Sequence, residues 1–374
     1  MTESVLEISN LAVTFDTPDG EVEAVKGVSF AIQQGECLGI VGGSGSGKNQ
    51  TFLSAFGLTS TNAKVTGSVK FKGREVLGLA RKELDTVRGR HVAFVFQDPL
   101  TALTPHLTIE TQMTEVLAHH FQITGPAARE RAIEWLERVP IPEAARRLGQ
   151  YPHELSGGMR QRVMIAMAMM CEPALLIADE PTTALDATVQ AQVLDLIDDL
   201  RRDTGAAVAL ITHDMGVIAR MAQRVAVMRR GEVVETGGVD EIYSQPKADY
   251  TKMLLGAVPR IDGVRAHTLA PVETGGPILK VDDVRVHFPI RVPGGLFGKA
   301  KLLRAVDGVS FDLHAGETLG IVGESGCGKS TLARAVVQLL PRTAGAVTFM
   351  GRNLLPSERE AIRKARQDLQ IVFQ

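Results

Sequence analysis

The chain has 374 residues, of which 44% are hydrophobic and 22% are charged, and its formal net charge is −2. This length is enough for two ordinary globular domains with separate cores. The near-neutral charge gives no reason to expect nucleic acid or an anionic membrane as the main partner. The three cysteines, Cys37, Cys171 and Cys327, are far apart in the sequence and form no CxxC pair. A disulfide framework and a zinc site are therefore not expected, and a reducing cytoplasm fits this cysteine usage best.

The sequence contains neither a recognisable leader nor a membrane-spanning stretch. Its first residues, MTESVLEISN, lack the basic and apolar regions of a signal peptide. Its longest apolar stretch, VMIAMAMM, is much shorter than the roughly 18 residues that a spanning helix needs. We expect a protein that is soluble in its own right and that meets a membrane only through a partner.

Short apolar runs alternate with helical segments along the chain. Buried strands are predicted at ECLGIV (36–41), ALLIADE (174–180), AVALITH (207–213) and ETLGIV (317–322). Helices are predicted at TFLSAFGL (51–58), ATVQAQVLDLIDDLRRDTG (187–205) and TLARAVVQLL (331–340). This alternation indicates an α/β fold with a mainly parallel sheet.

Three segments of the first part of the chain recur in the second part. Residues 5–15, 24–51 and 93–99 return as 278–288, 305–332 and 369–374. The spacing is far longer than that of a solenoid repeat, so it indicates a duplicated domain. We predict a first domain at 3–257, a Pro- and Gly-containing linker at 258–277 and a second domain at 278–374.

Each copy contains a glycine-rich loop between a predicted strand and a predicted helix. The pattern G-x-x-x-x-G-K-[ST] binds phosphate because its turn directs backbone N–H groups at phosphate oxygens, beside the positive end of a helix. Its lysine reaches the β- and γ-phosphates, and its Ser/Thr hydroxyl binds Mg²⁺. The second loop satisfies the pattern with Gly323, Gly326, Gly328, Lys329, Ser330 and Thr331. The first loop offers Gly42, Gly43, Ser44, Gly45, Ser46, Gly47, Lys48, Asn49 and Gln50. Asn49 takes the place of the hydroxyl residue.

Three other stretches of the first copy carry candidate site residues. Asp179 and Glu180 end a predicted strand, where one carboxylate can hold Mg²⁺ and the other can polarise a water molecule. Two solvated acids are the alternative interpretation. His213 ends another strand, and a lone histidine there is more often structural than catalytic. The segment 156–158, Ser-Gly-Gly, precedes a long helical run, so it is either an anion site or a plain helix N-cap.

Together these residues resemble the nucleotide-binding subunits of ABC transporters. The first copy has the family's motifs in the family's order: the loop at 42–49, FQDP with Gln97, LSGGM (155–159), LLIADE (175–180), ALD with Asp186, and His213. The resemblance covers 3–256 as one complete domain and about 277–374 as the start of another. Segments such as YPHELSGGMRQRVMIAMAM look like importer ATPases for oligopeptides and dipeptides, and the tandem is similar to fused forms that include glutathione-type importers. The implied fold is a P-loop α/β domain with a mainly parallel core sheet, an antiparallel β subdomain and a helical subdomain, followed by an incomplete second copy.

The resemblance implies roles for the matching residues in an ATP and Mg²⁺ site. Phe15 and Phe288 would stack on adenine, and both loop lysines would bind phosphate. Glu180 would be the general base, His213 would sense the γ-phosphate, and Gln97 would link the site to a permease. The metal site would draw on Asn49, Gln97, Asp179, Ser330 and Gln374. In the family, two domains enclose two ATP molecules, so Ser156, Gly157 and Gly158 would complete the site of a second ABC ATPase domain, with Asp186 at the interface.

The resemblance also implies partners. They are the transmembrane permease subunits, an extracytoplasmic substrate-binding protein that acts indirectly, and a second ATPase domain in the same full-length chain or in a homodimer. Nucleic acid is not among them. The implied location is peripheral, on the cytoplasmic face of the inner membrane. Because the second copy stops at Gln374, before any LSGG segment, we expect a piece of a longer chain of roughly 550–650 residues.

Three functions follow as hypotheses: an ATPase that drives peptide import, a soluble tandem ABC protein that acts on ribosomes or DNA, and a degenerate domain that binds ATP without hydrolysing it. The short neutral linker and the absence of cysteine clusters disfavour the second. Asn49 keeps the hypothesis of a degenerate domain open. Its amide oxygen can bind a hard cation, but its side chain is longer than that of serine, and its amide nitrogen is a hydrogen-bond donor that does not bind a metal ion. Thr51 is not expected to replace Asn49 as a metal ligand.

We predict that the first loop binds ATP with weakened Mg²⁺ affinity and slower hydrolysis. Replacement of Asn49 by Ser should restore both properties. The alternative is a site that hydrolyses ATP at the full rate with Asn49 as a ligand.

Overall fold

The computed structural model describes residues 4–183, 185–258, 275–290, 301–324, 326–355 and 359–373. The chain divides into two units, Met1–Gly263 and Val264–Gln374. The predicted linker at 258–277, and with it the two domain boundaries, stays a prediction, because residues 259–274 lie outside the described ranges.

The first unit contains two sheets and a set of helices. Its strands are β1 (Ser4–Thr17), β2 (Gly20–Gln33), β3 (Cys37–Val41), β4 (Ala63–Phe71), β5 (Arg74–Glu75), β6 (Val92–Val95), β7 (Leu175–Asp179), β8 (Ala207–Thr212), β9 (Arg224–Arg229) and β10 (Glu232–Gly238). Its helices are α1 (Lys48–Ala55), α2 (Arg81–Val87), α3 (Pro99–Ala102), α4 (Ile109–Phe121), α5 (Gly125–Arg138), α6 (Ala144–Arg147), α7 (Gly157–Met169), α8 (Ala187–Thr204), α9 (Met215–Met221), α10 (Val239–Ser244) and α11 (Asp249–Gly256), and a 3₁₀ turn spans Pro152–Glu154.

The core sheet has the strand order β10-β9-β3-β8-β7-β6, and every neighbouring pair except β10-β9 is parallel. All five residues of β3 are buried, as expected for a strand covered on both faces. In the register, Val41 at the end of β3 pairs with Thr212 of β8, and Asp179 at the end of β7 pairs with Ile211. The carboxyl ends of three adjacent strands therefore lie together at one edge.

An antiparallel sheet of order β2-β1-β4-β5 and a helical region complete the first unit. Helices α4 to α7 lie between β6 and β7 in the chain and bury Trp135 completely. Helix α8 has Asp186 as its N-cap, whose side chain accepts a hydrogen bond from the Val189 amide, and Gly205 with φ +68° as its C-cap. The predicted P-loop α/β fold, with parallel core, antiparallel subdomain and helical subdomain, is confirmed for this unit.

The second unit repeats the antiparallel sheet. Its strands β11 (Leu279–Ile290), β12 (Lys301–Leu313), β13 (Ala344–Phe349) and β14 (Arg352–Asn353) have the order β12-β11-β13-β14, which reproduces β2-β1-β4-β5. Its helices are α12 (Lys329–Val336) and α13 (Arg359–Asp368). A small core that includes Val281, Val284 and Leu332 holds the sheet against α12.

The predicted strand at 317–322 does not form. No described residue of the second unit pairs with this segment, and Val322 is 92% exposed. In the first unit, β3 is hydrogen-bonded to β8 on one side and to β9 on the other. A strand forms through such neighbours, so the same apolar sequence stays irregular where they are lacking. The described part of the repeat at 369–374 is likewise irregular, with Phe373 62% exposed.

Replacement of Phe52 by Ala tests how far α1 depends on the core beneath it. Phe52 is fully buried, and its ring centroid lies 5.8 Å from that of Phe30. We expect the free energy of unfolding of the first unit to fall by about 3–5 kcal/mol, because removal of a buried ring leaves a cavity. Urea unfolding measures this change through the fluorescence of Trp135, the single tryptophan of the sequence. The exposed Phe121 is the matched control, and its replacement by Ala should cost less than about 1 kcal/mol. Equal losses in both variants would contradict the prediction.

Candidate nucleotide-binding site

The first glycine loop connects β3 to α1 through backbone conformations that favour glycine. Gly47 has φ +95°, and a Cβ atom there would lie 2.5 Å from the carbonyl oxygen of Ala24. A Cβ at Gly42 would overlap the carbonyl oxygen of Met228. The sequence therefore needs glycine at both positions to bring the loop close to its neighbours and to start α1 directly after it.

Lys48 begins α1 and folds back over the loop. Its Nζ donates hydrogen bonds to the carbonyl oxygens of Gly42 and Gly43, at 2.8 and 3.0 Å. Burial lowers the pKa of the Lys48 ammonium, and the carboxylates of Glu180 and Asp179 act in the opposite direction. The lysine is thus a buried positive charge at the base of the loop, where a phosphate would lie.

A cavity of about 600 Å³ opens over the loop. Its lining comes from the loop, the start of α1 and the carboxyl ends of neighbouring strands: Ser44, Gly45, Ser46, Gly47, Lys48, Asn49, Gln50, Gln97, Glu180 and His213. The structure therefore brings together the predicted phosphate loop, Gln97, Glu180 and His213, which are far apart in the sequence.

Glu180 lies at the centre of a hydrogen-bond network. Its Oε2 accepts from Gln97 Nε2 and from the hydroxyl of Thr183, each at 2.9 Å, and its Oε1 lies 2.8 Å from His213 Nδ1. Burial raises the pKa of Glu180, but the hydrogen bonds from His213 and Thr183 outweigh it, so the pKa lies below its usual value. His213 is therefore not an isolated structural histidine, and Glu180 is an ionised, oriented carboxylate facing the cavity.

Asn49 and Asp179 form a direct pair. Asn49 Nδ2 donates a hydrogen bond of 2.6 Å to Asp179 Oδ2, and Asp179 Oδ1 is buried without a hydrogen-bond partner among the described residues. Burial and the neighbouring Glu180 raise the pKa of Asp179 to about 6, against the effect of Lys48. Asp179 Oδ1, which lacks a partner among the described residues, is able to accept a hydrogen bond from a water molecule or to bind a cation. At the predicted ligand position, however, an amide nitrogen faces the carboxylate, and an N–H donor does not bind a cation, so this residue set fits a tightly held Mg²⁺ poorly.

Thr51 does not compensate for Asn49. Its hydroxyl donates to the carbonyl oxygen of Gly47 at 2.9 Å, within α1 and its cap. This agrees with the prediction that Thr51 leaves the ligand position to Asn49. The predicted loss of Mg²⁺ affinity itself stays a prediction.

The segment 156–158 forms the start of α7, away from the cavity lining. Ser156 caps the helix by accepting a hydrogen bond of 3.3 Å from the Met159 amide. A Cβ at Gly158 would lie 2.7 Å from Val189 Cγ1, so glycine there lets α7 approach α8. Ser156 and Gly157 are exposed. Within this unit, the segment is thus a helix N-cap. The role of the segment toward a second domain stays a prediction. The interface role of Asp186, the N-cap of α8, also stays a prediction.

The two phenylalanines predicted to contact adenine lie at equivalent places in the two antiparallel sheets. Phe15 pairs with Val22 and Ala63 and is partly buried against the core. Phe288 is 37% exposed on β11. Their adenine contacts stay predictions.

The second loop has the same local geometry as the first. Lys329 Nζ donates to the carbonyl oxygens of Gly323 and Glu324, at 2.5 and 2.7 Å. Gly326 and Gly328 have φ +81° and +103°. Ser330 is exposed in the first turn of α12, directly before Thr331. Gln374, a predicted metal ligand, lies outside the described residues.

Two residues near the first loop were not identified from the sequence. The hydroxyl of Tyr250, on α11, accepts a hydrogen bond of 2.9 Å from the Gly43 amide, and 207 positions separate the two residues. No local pattern could have found this contact. Thr183 lies three residues after Glu180, and its polar side chain at that spacing could have indicated a contact with Glu180.

Among the helices of the described ranges, none is long and apolar enough to cross a membrane.

The chain is similar to ATP-binding proteins of bacterial import and transport systems. The glutathione import ATP-binding protein GsiA of Pectobacterium atrosepticum is 42% identical over 399 residues, which cover 99% of this chain and 64% of that protein. The peptidoglycan transport ATP-binding protein YejF of Agrobacterium fabrum is 43% identical over 376 residues, which cover all of this chain and 67% of that protein. The chain therefore spans 64% of the length of GsiA and 67% of that of YejF.

Solved structures of ATP-binding cassettes share the fold. The cassette MJ0796, in a dimeric post-hydrolysis state bound to ADP and Pi, is 30% identical with a TM-score of 0.57, covering 63% of this chain and 98% of that chain. The protein cbiO1 of Clostridium perfringens, part of the ABC transporter complex cbiONQ, is 27% identical with a TM-score of 0.56, covering 65% of this chain and 92% of that chain. The family model described as ABC transporter matches residues 25–183 and 306–374. The chain belongs to the ABC transporter family.

Proposed function

We propose that the chain is an ATP-binding and ATP-hydrolysing component of an importer for peptide-like substrates, such as dipeptides, oligopeptides or glutathione-like molecules. One observation carries the ATPase part of this proposal. The glycine loop with Lys48 lies over the same cavity as Glu180, which Gln97 and His213 hold by hydrogen bonds. A phosphate-binding loop beside an oriented carboxylate is the arrangement that nucleotide hydrolysis requires.

We propose a task for each of these residues. The loop amides and the Lys48 ammonium would bind the phosphates of ATP at the positive end of α1. Glu180 would accept a proton from the attacking water, and its low pKa keeps it ionised for this role. Gln97 and Thr183 fix the Oε2 side of its carboxylate, and His213 contacts the other oxygen. His213 lies at the cavity wall, in a position to contact a terminal phosphate.

Mg²⁺ would neutralise phosphate charge when bound with ATP. In the second loop, Ser330 has the hydroxyl that suits this ion. In the first loop, the available oxygens belong to Asp179, Gln97 and Asn49, and the amide nitrogen of Asn49 is turned to Asp179. We therefore propose that the two loops differ in their use of the cation.

A second ATPase domain is part of the proposal. Ser156 and Gly157 are exposed at the N-terminus of the 13-residue helix α7, where free amides and the helix dipole attract anions. They would complete the phosphate site of that domain, in a longer form of the chain or in a homodimer. The dimeric form of the similar cassette MJ0796 supports such pairing.

The transport role rests on the relatives. GsiA is named for glutathione import and YejF for peptidoglycan transport. We infer that the chain binds transmembrane permease subunits at the cytoplasmic face of the membrane, near Gln97 and the exposed Phe96, and that an extracytoplasmic binding protein delivers the substrate.

ATP binding without turnover is the second candidate function. The Asn49–Asp179 hydrogen bond favours it, because it engages a carboxylate that would otherwise face the cation. Turnover measurements on the first site distinguish the two candidates.

Replacement of Glu180 by Gln should abolish hydrolysis at the first site and leave ATP binding intact. In a Lys329→Ala background, which silences the second loop, we expect ATP turnover to fall by about 10²-fold or more, because the amide cannot accept the proton. Phosphate release measures the rate, and equilibrium binding of ATP measures retention. Glu130→Gln, at an exposed position of α5, is the matched control. Turnover that is zero before the Glu180 change would support binding without hydrolysis instead.

The importer role predicts stable association with permease subunits. A tagged full-length protein, extracted from native membranes in mild detergent, should recover its permease subunits in a stoichiometric complex, identified by mass spectrometry. Recovery of ribosomes or DNA in place of membrane subunits would reject the importer role and favour a non-transport tandem ABC protein.

A further inference from the structure

The first loop differs from the second at the residue that follows its lysine, Asn49 against Ser330. Asn49 lines the cavity, and its Nδ2 donates to Asp179 Oδ2 at 2.6 Å. In this hydrogen bond the carboxylate oxygen is the acceptor, and the nitrogen of the amide faces it. That nitrogen carries two N–H groups, and Asp179 uses one, which leaves the other for a second acceptor.

Protein side chains donate to three of the four carboxylate oxygens of Asp179 and Glu180, and Asp179 Oδ1 lacks a partner among the described residues. Three donors surround the carboxylate of Glu180, from Gln97, Thr183 and His213. Asn49 supplies a donor to Asp179. In a loop with a hydroxyl residue, a divalent cation would lie between the phosphates and this acidic strand end. Here an amide nitrogen lies beside the acid, in the position from which a cation would be held.

We propose that the Asn49 amide nitrogen joins Asp179 to a phosphate oxygen of the nucleotide, so that the first loop binds ATP without a divalent cation. This inference rests on the proposed ATP binding. Lys48 and the loop amides supply the remaining contacts to phosphate. A neutral amide removes less phosphate charge than a cation, so hydrolysis at this loop is slow while binding is retained. The second loop, with Ser330, keeps the requirement for a cation.

Equilibrium binding of a fluorescent ATP analogue tests the proposal on the full chain carrying Lys329→Ala, with either excess Mg²⁺ or excess EDTA. We expect the Kd of the first site to change by less than about threefold when the cation is removed. With Asn49→Ser, the bridge to phosphate is lost and a hydroxyl ligand is restored. The Kd in EDTA should then exceed that in Mg²⁺ by about tenfold or more. Asn353→Ser, at an exposed position of β14, is the matched control and should behave as the parent.

A second measurement separates the bridge from a general effect on folding. Asn49→Leu preserves the shape of the side chain without its donors, so it should lose binding in EDTA, while a cooperative unfolding transition followed by Trp135 fluorescence shows that the variant is folded. With Mn²⁺ as the probe and Lys329→Ala present in both proteins, electron paramagnetic resonance should detect the ion with nucleotide in the Asn49→Ser protein and little in the protein that retains Asn49.

The outcomes are distinct. Equal dependence on Mg²⁺ in the parent and in Asn49→Ser would overturn the proposal and identify Asn49 as an ordinary cation ligand through its oxygen. Absence of binding under both conditions in the parent would overturn ATP binding itself, and the inference with it. Retained EDTA-resistant binding in Asn49→Leu would show that the amide bridge is not its cause.

Discussion

The alignment of β3, β8 and β7 in the parallel core sheet is the constraint on which the site depends. Each strand ends at the same edge, so the loop after Val41, His213 after Thr212 and Glu180 after Asp179 line one cavity. Parallel strands can be adjacent only when a long connection returns the chain to the starting edge. The helices between these strands, such as α8 between β7 and β8, therefore return the chain so that each strand ends at the edge that carries the cavity.

The site itself is arranged around two carboxylates with different surroundings. Glu180 accepts from several side chains and has a lowered pKa, whereas Asp179 is more deeply enclosed, beside Glu180, and has a raised pKa. Adjacent acids at one strand end repel each other, and separate hydrogen-bond partners allow both to persist there. The partner of Asp179 is the residue that departs from the phosphate-loop pattern. Asn49 is thus part of the hydrogen-bond network of the site and is not an isolated substitution on the protein surface.

The two units show which parts of the repeated sequence are locally encoded. The antiparallel sheet and the glycine loop with its helix form in both units, since the strands of that sheet lie within residues 4–75 of the first unit and 279–353 of the second. The apolar segment before the loop forms a strand only where β8 and β9 provide hydrogen-bond partners. Its second copy has nearly the same residues and stays irregular. Backbone pairing with distant segments, more than the apolar run, decides whether this segment is a strand.

The sequence by itself determined the P-loop class, three strands of the core sheet (β3, β7 and β8) and the residues that line the cavity. These features are local patterns: glycines and a lysine at fixed spacing, apolar runs that end in acids, and a capped helix. The tertiary structure alone decided which donors reach Glu180, how Tyr250 contacts the Gly43 amide, and that the Asn49 amide faces Asp179 across 130 positions of sequence. Such contacts depend on strand order and side-chain direction, which a one-dimensional pattern does not contain. The substitution at position 49 was visible in the sequence, but its meaning depended on the carboxylate that the fold places beside it.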